Sequence, residues 1–274
     1  MNHIKRFIDF LLFGNLYIAL GAFLLSQCTI IELRLNISYS YSILVFFSTL
    51  FIYNLQRVFY ITPINSEPIS VRRKWISENQ KTIIALTMIG LIGTSVSLFY
   101  CDTKAILYLS PLCILSIGYF FPSVQLRKFA LLKIFILVTV WTATCYIIPI
   151  LLSSNNFSSS NFIYTLSGFC FMAAICLPFD NRDIEIDKKE NIQTFAVLFG
   201  SRRINLIAFI FSILYFTLLI IIEVDLTILT INSIVFLTSS VLILKNNNPR
   251  NEYFYIAGID GTLILKGILC YFFI

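Results

Sequence analysis

Charged residues make up only 12% of this 274-residue sequence, about half of what a soluble domain needs to keep its surface wetted. There is a single histidine, His3 in the N-terminal tail, so no histidine-based metal cluster can be assembled. The seven cysteines (Cys28, Cys101, Cys113, Cys145, Cys170, Cys176 and Cys270) include no Cys-x-x-Cys pair. Most lie inside apolar runs, where a thiol acts as a small hydrophobic side chain. No polar segment carries a basic stripe interleaved with aromatics, which excludes a nucleic-acid-binding module and leaves the net charge of +6 to be explained otherwise. Pairs of spans broken by Gly or Pro at mid-membrane, the mark of a secondary transporter, are also missing.

What remains is apolar. Hydrophobic residues make up 58% of the chain, and the mean hydropathy is +0.86. They come in runs long enough to cross a hydrocarbon core, which takes about 20 residues per helix. In lipid the backbone must satisfy itself, so the runs must be helices. The expected spans are 7–28, 38–61, 82–100, 105–121, 129–152, 160–179, 204–222, 226–244 and 252–273. Eight spans is the alternative, because only a few polar residues around Asp102 divide the third from the fourth. Residues 7–28 are too long for a signal-peptide core and lack a convincing cleavage site, so they read as a retained first span.

The basic residues test this drawing. With the N-terminus inside, all 20 Lys and Arg except Arg34, Lys104 and Lys266 fall on inward segments. That is the bias of cytoplasmic loops, and it makes the positive charge a topology signal. The expectation is an integral protein of the cell (inner) membrane with its N-terminus cytoplasmic. The two longest inward connections, 62–81 and 180–203, carry both signs of charge, as expected of a membrane enzyme acting on a water-soluble head group.

The sharpest motif lies in the second of these loops: Pro178-Phe179-Asp180-Asn181-Arg182-Asp183-Ile184-Glu185-Ile186-Asp187-Lys188-Lys189. Its core is Asp-x-x-Asp-x-x-x-Asp. On a helix, Asp180, Asp183 and Asp187 share one face within about 60°. Three carboxylates there repel one another unless a cation sits between them, and hard oxygen donors in that number suit Mg²⁺ completed by phosphate oxygens. The bland reading is a solvated helix end whose charges pair at i,i+3 and i,i+4. Its position against a membrane favours function, because uncompensated charge is expensive there.

This segment resembles the second aspartate-rich motif of the UbiA superfamily of intramembrane prenyltransferases, with Lys188, Lys189, Thr194 and Gly200 matching in order. Tyr119-Phe120-Phe121-Pro122, followed by Leu126-Arg127-Lys128, is similar to the family's Tyr-x-x-Pro stretch and its basic residue. The resemblance implies an all-α membrane bundle in a single domain over 1–274: repeats of four helices, 1–122 and 123–244, and a final helix, 252–273. It implies a prenyl diphosphate donor held by Mg²⁺ at the cytoplasmic mouth, an aromatic or lipid acceptor, and Asp180, Asp183 and Asp187 as metal-binding and catalytic residues.

One departure is large. The family's first motif, Asn-Asp-x-x-Asp-x-x-x-Asp, should close the second span, where Asn54 is followed by Leu55, Val58 and Thr62 in place of the acids. Arg57 falls where Arg182 falls in the second repeat. Arg57 either grips phosphate in place of the missing metal site or merely snorkels at the interface. The diphosphate-binding candidates are therefore Asn54, Arg57, Arg127, Lys128, Lys133 and Arg182. The lost motif also leaves open a non-catalytic relative that binds an isoprenoid or its phosphate. CDP-alcohol phosphotransfer fits poorly, because Asp260-Gly261 is followed by Thr262-Leu263 and not by that family's x-x-Ala-Arg. Asp260 and Lys266, six residues apart in the last span, are expected to pair elsewhere in the bundle as structural contacts.

Overall fold

A computed structural model describes residues 3–59, 70–121, 130–153, 157–189, 192–246 and 251–274. Among them every regular element is a helix: α1 (His3–Phe13), α2 (Leu16–Glu32), α3 (Tyr39–Phe59), the short α4 (Val71–Glu78), α5 (Gln80–Leu98), α6 (Thr103–Phe120), α7 (Ala130–Thr142), α8 (Ile148–Ser153), α9 (Ser159–Cys176), α10 (Pro178–Lys189), α11 (Phe195–Phe199), α12 (Ser201–Ile221), α13 (Leu226–Leu244) and α14 (Gly261–Phe273). Single π-helical turns, Ala143–Ile147 and Phe254–Ile259, join α7 to α8 and precede α14. Among the described residues, eight helical stretches are long and apolar enough to span a membrane, or nine counting α1 and α2 as one broken span. Their outer faces carry Ile84, Met88, Ile92, Leu206, Ile210 and Leu237, all exposed as side chains facing lipid should be. The chain is an integral membrane protein.

Two details of the span drawing are settled. Asp102 caps α6, its side chain accepting from Lys104 N at 2.7 Å, so the third and fourth spans are separate helices. The first span is not continuous. It bends by 57° between α1 and α2, because Asn15 stands in the left-handed region at φ 61°, a conformation Asn tolerates better than most residues. The bend leaves the Gly14 carbonyl and the Asn15 side-chain amide in an apolar setting, and Asn54 of α3 bonds to both. Its Nδ2 donates to Gly14 O at 3.1 Å, and its Oδ1 accepts from Asn15 Nδ2 at 3.0 Å.

Helices in lipid gain no hydrophobic drive from meeting one another, so close packing and interhelical hydrogen bonds hold the bundle together. Small buried residues serve the first purpose: Ala22 on α2, Ala173 and Ala174 on α9, Ala208 on α12. At Gly90, α5 comes so near α3 that a Cβ would stand 2.6 Å from Phe51 N. A buried network serves the second, toward the end of the bundle where α2 finishes. Lys266 lies 3.5 Å from Glu32 Oε2, Tyr164 donates to Glu32, and Asn232 Nδ2 donates to Glu32 Oε1 at 2.9 Å. Lys266 thus finds a partner elsewhere in the bundle, as its sequence position suggests. Beside it, Cys28 of α2 and Cys270 of α14 form a disulfide with a Cα–Cα distance of 5.6 Å. For these two cysteines the reading as apolar filler is corrected.

Candidate functional site

The acidic motif forms as a helix because α9 runs almost directly into α10, whose first turn begins at Pro178, where a missing N–H costs nothing. Asp180, Asp183 and Asp187 all face a cavity of about 390 Å³, a size ordinary for a small-ligand pocket. Each carboxylate is met by a cation. Lys133 of α7 bridges Asp180 Oδ1 at 2.9 Å and Asp187 Oδ2 at 3.3 Å. Arg182 grips Asp183 with two bonds, Nε to Oδ1 at 2.8 Å and an Nη to Oδ2 at 3.0 Å, and its guanidinium lies 4.7 Å over the Phe179 ring.

Cations are in excess. Among the described residues, Arg57, Arg72, Arg73, Lys133 and Arg182 line the cavity, five against the four carboxylates of Asp180, Asp183, Asp187 and Asp260. Among the described residues, Arg57 Nε and Arg72 Nε are buried without a hydrogen-bond partner, a state that is costly for a charged donor unless a ligand completes it. Burial first, then the neighbouring Arg182 and Arg57 charges, press the proton affinity of Arg72 well below the ordinary value. Burial also raises the Asp187 carboxyl above its ordinary value, while the Lys133 ammonium acts in the opposite sense.

Arg72 reaches the cavity because α4 is docked beneath the bundle. Ser70 caps it, accepting from Arg73 N, and Glu252 Oε2 accepts from Arg72 N at 2.9 Å. Trp75 packs 6.0 Å from Phe13 between ring centroids. The other wall of the cavity is apolar and follows α7 from Ile134 through Leu137 and Val140 to Trp141, about 12 Å along the helix axis from Lys133. Trp141 Nε1 donates to Tyr53 OH at 3.1 Å, fixing two aromatic walls.

The sequence candidates therefore divide. Asp180, Asp183, Asp187, Arg57, Lys133 and Arg182 come together at one cavity. Asn54 does not line it; its side chain is fully buried and committed to Gly14 O, Asn15 and Leu50 O. The motif that made it a phosphate candidate holds the α1–α2 break instead. Arg127 and Lys128 lie outside the described residues, whereas Tyr119 of the neighbouring motif lines the cavity. Arg72, Arg73 and Asp260 were not singled out by sequence as part of the site. Their signal was present in the doubly charged 62–81 loop and in a carboxylate within an apolar span.

For a divalent ion the donor set is suitable: Asp180 is fully buried, its Oδ2 has no hydrogen-bond partner among the described residues, and it faces the cavity. The three carboxylates do not converge unaided. Among the described residues, the trio of potential ligands with donor atoms within 4.8 Å of one another is Cys28, Glu32 and Cys270, away from the motif. A polar, cation-rich mouth above an apolar cleft can hold a polyanionic head with a hydrocarbon tail.

No family profile and no curated protein matches this sequence. The fold does match solved structures. A UbiA homolog from Archaeoglobus fulgidus bound to GPP and Mg²⁺ aligns with a TM-score of 0.64 at 12% identity, covering 96% of this chain and 98% of that one. The same protein bound to DMAPP and Mg²⁺ gives 0.62 at 14% identity, covering 95% and 98%. The apo UbiA homolog from Aeropyrum pernix K1 gives 0.60 at 10% identity, covering 93% and 94%. The architecture is thus the UbiA-type helical bundle.

Proposed function

We propose that this chain is a divergent UbiA-type intramembrane prenyltransferase, moving an isoprenyl group from a prenyl diphosphate to an aromatic or lipid acceptor. The observation that carries this reading is the union, in one cavity, of the Asp180/Asp183/Asp187 face with Arg57, Arg72, Lys133 and Arg182. The arginines bind and orient the diphosphate, and their fixed charge stabilises it as it departs. Lys133 positions Asp180 and Asp187. The cleft along α7 holds the tail and keeps water from the allylic carbon. Asp180, Asp183 and Asp187 would hold Mg²⁺, which would supply further charge neutralisation to the leaving diphosphate.

Arg57 stands where the first aspartate-rich motif has lost its acids, so part of the charge usually brought by metal comes here from guanidinium groups. Two repeats, 1–122 and 123–244, and a cytoplasmic site in the cell membrane belong to the same reading. The cytoplasmic placement is supported by the skewed distribution of Lys and Arg. In the test, purified protein, Mg²⁺ and geranyl diphosphate should release pyrophosphate, and Asp183→Asn should stop it. Unchanged release in that variant removes the assigned role.

One observation favours a second reading, a non-catalytic isoprenoid- or phosphate-binding protein: all three motif carboxylates already have protein cations as partners. It expects tight geranyl diphosphate binding with no pyrophosphate from any allylic donor, and a single prenylated product disposes of it.

A further inference from the structure

Asp260 stands at the junction where the π-turn Phe254–Ile259 gives way to α14, its N–H bonded to Tyr255 O at 3.1 Å. A π-turn inserts an extra residue and rotates the side chains beyond it, and such turns recur at functional sites. Here the result is a carboxylate within the last span that lines the same cavity as Ile256 and Leu263, one turn to either side. The other three cavity carboxylates each have a Lys or Arg partner. Among the described residues, no cation comes within ion-pair distance of Asp260. A carboxylate in a membrane span that faces a cavity and has no ion-pair partner marks a functional position. Arg72 and Arg182, beyond ion-pair distance, line the same cavity and act on Asp260 electrostatically, and phenols stand nearby as well. Tyr53 lines the cavity, and the Tyr17 hydroxyl, bonded to Ala257 O at 3.2 Å, lies 2.9 Å from where a Cβ on Gly261 would stand. Asp260 belongs to the last span, at the head of α14, whereas the diphosphate-facing acids belong to α10, so the two kinds of carboxylate are held by different elements.

We infer that Asp260 is the proton acceptor for the second substrate, an inference that rests on the prenyl-transfer reading above. The bond from the allylic carbon to the diphosphate oxygen breaks, and its electron pair leaves with the diphosphate. The acceptor's nucleophilic atom forms the new bond to that carbon. The proton displaced from the acceptor, from a hydroxyl or from an aromatic ring carbon, passes to Asp260 and returns to water when product leaves. The step needs no oxidant or reductant. This chemistry sets the substrate class: an acceptor with a displaceable proton, such as a phenol or a lipid alcohol, and not one whose nucleophile lacks hydrogen.

The test uses full-length protein in nanodiscs made with total lipid extract of the source cells as the acceptor pool, Mg²⁺, and geranyl diphosphate as the probe. Pyrophosphate, geraniol and geranylated lipid are measured separately, together with geranyl diphosphate binding. In Asp260→Asn, binding should stay within about twofold. Pyrophosphate release should continue, and geranylated lipid per pyrophosphate should fall by about 100-fold as water captures the cation, the scale of general-base loss. Asp260→Glu should recover part of the ratio. A normal product ratio in Asp260→Asn, or loss of geranyl diphosphate binding in it, overturns the inference and leaves prenyl transfer standing. Geraniol as the sole wild-type product also overturns it. Absence of pyrophosphate from the wild type removes the prenyl-transfer reading, and this inference with it.

Discussion

The Lys133 ammonium lies 2.9 Å from Asp180 Oδ1, and both side chains are nearly or fully buried. Such a pair contributes little when intact, but removing one partner strands the other charge. Lys133→Met is therefore expected to destabilise the protein by about 3–5 kcal/mol in metal-free buffer. Mg²⁺ should recover much of that loss by taking the ammonium's place. Thermal unfolding in detergent with and without EDTA checks this, and an absence of Mg²⁺ rescue would argue against metal binding at Asp180.

Among the described residues, the buried Nε donors of Arg57 and Arg72 have no hydrogen-bond partner. Arg57→Ala and Arg72→Ala should each weaken geranyl diphosphate binding by about 10- to 100-fold, the value of a charge-assisted hydrogen bond. Arg72→Lys should recover only a fraction, because an ammonium lacks the planar fork. Isothermal titration with the non-reacting thio-analogue measures binding without turnover. Equal affinity in Arg57→Ala would return that residue to the role of an interface anchor.

Asn54 separates a structural from a ligand-binding role. Asn54→Leu leaves the Gly14 carbonyl and the Asn15 amide without their bonds, at a cost of about 1–3 kcal/mol in stability. In the folded fraction, donor affinity should be unchanged. A folded variant with selectively lost donor binding would restore Asn54 to the phosphate site.

At the other end of the bundle, Lys266→Ala strands Glu32, also buried. The expected loss is about 3–5 kcal/mol of stability, with pyrophosphate release per folded molecule unaltered. The double variant with Glu32→Gln should be more stable than Lys266→Ala alone. Thermal melts of the three proteins form the cycle that decides it.

The spans were legible because lipid permits only self-satisfied helices, so hydropathy alone marks them to within a few residues. The helical face of Asp180, Asp183 and Asp187 was legible from spacing, since local geometry fixes it. Arg72 and Arg73 were hidden by the rule that revealed the topology: a cytoplasmic loop holds arginines in any case, and only the docking of α4 through Trp75 and Glu252 shows which ones turn inward. The break at Asn15 was hidden because Asn is at home in several backbone states. The Cys28–Cys270 bond joins residues 242 positions apart, a fact of tertiary packing that no local pattern encodes.

Arg57, Arg72, Lys133 and Arg182 come from α3, α4, α7 and α10, respectively. No half-inserted chain possesses their combined field, so under the proposed function a prenyl diphosphate would have nothing to recognise until biogenesis is complete. Its occupancy would then favour the finished bundle over every unfinished one by mass action, and a cell well supplied with that donor would be expected to accumulate more of the mature protein from the same rate of synthesis.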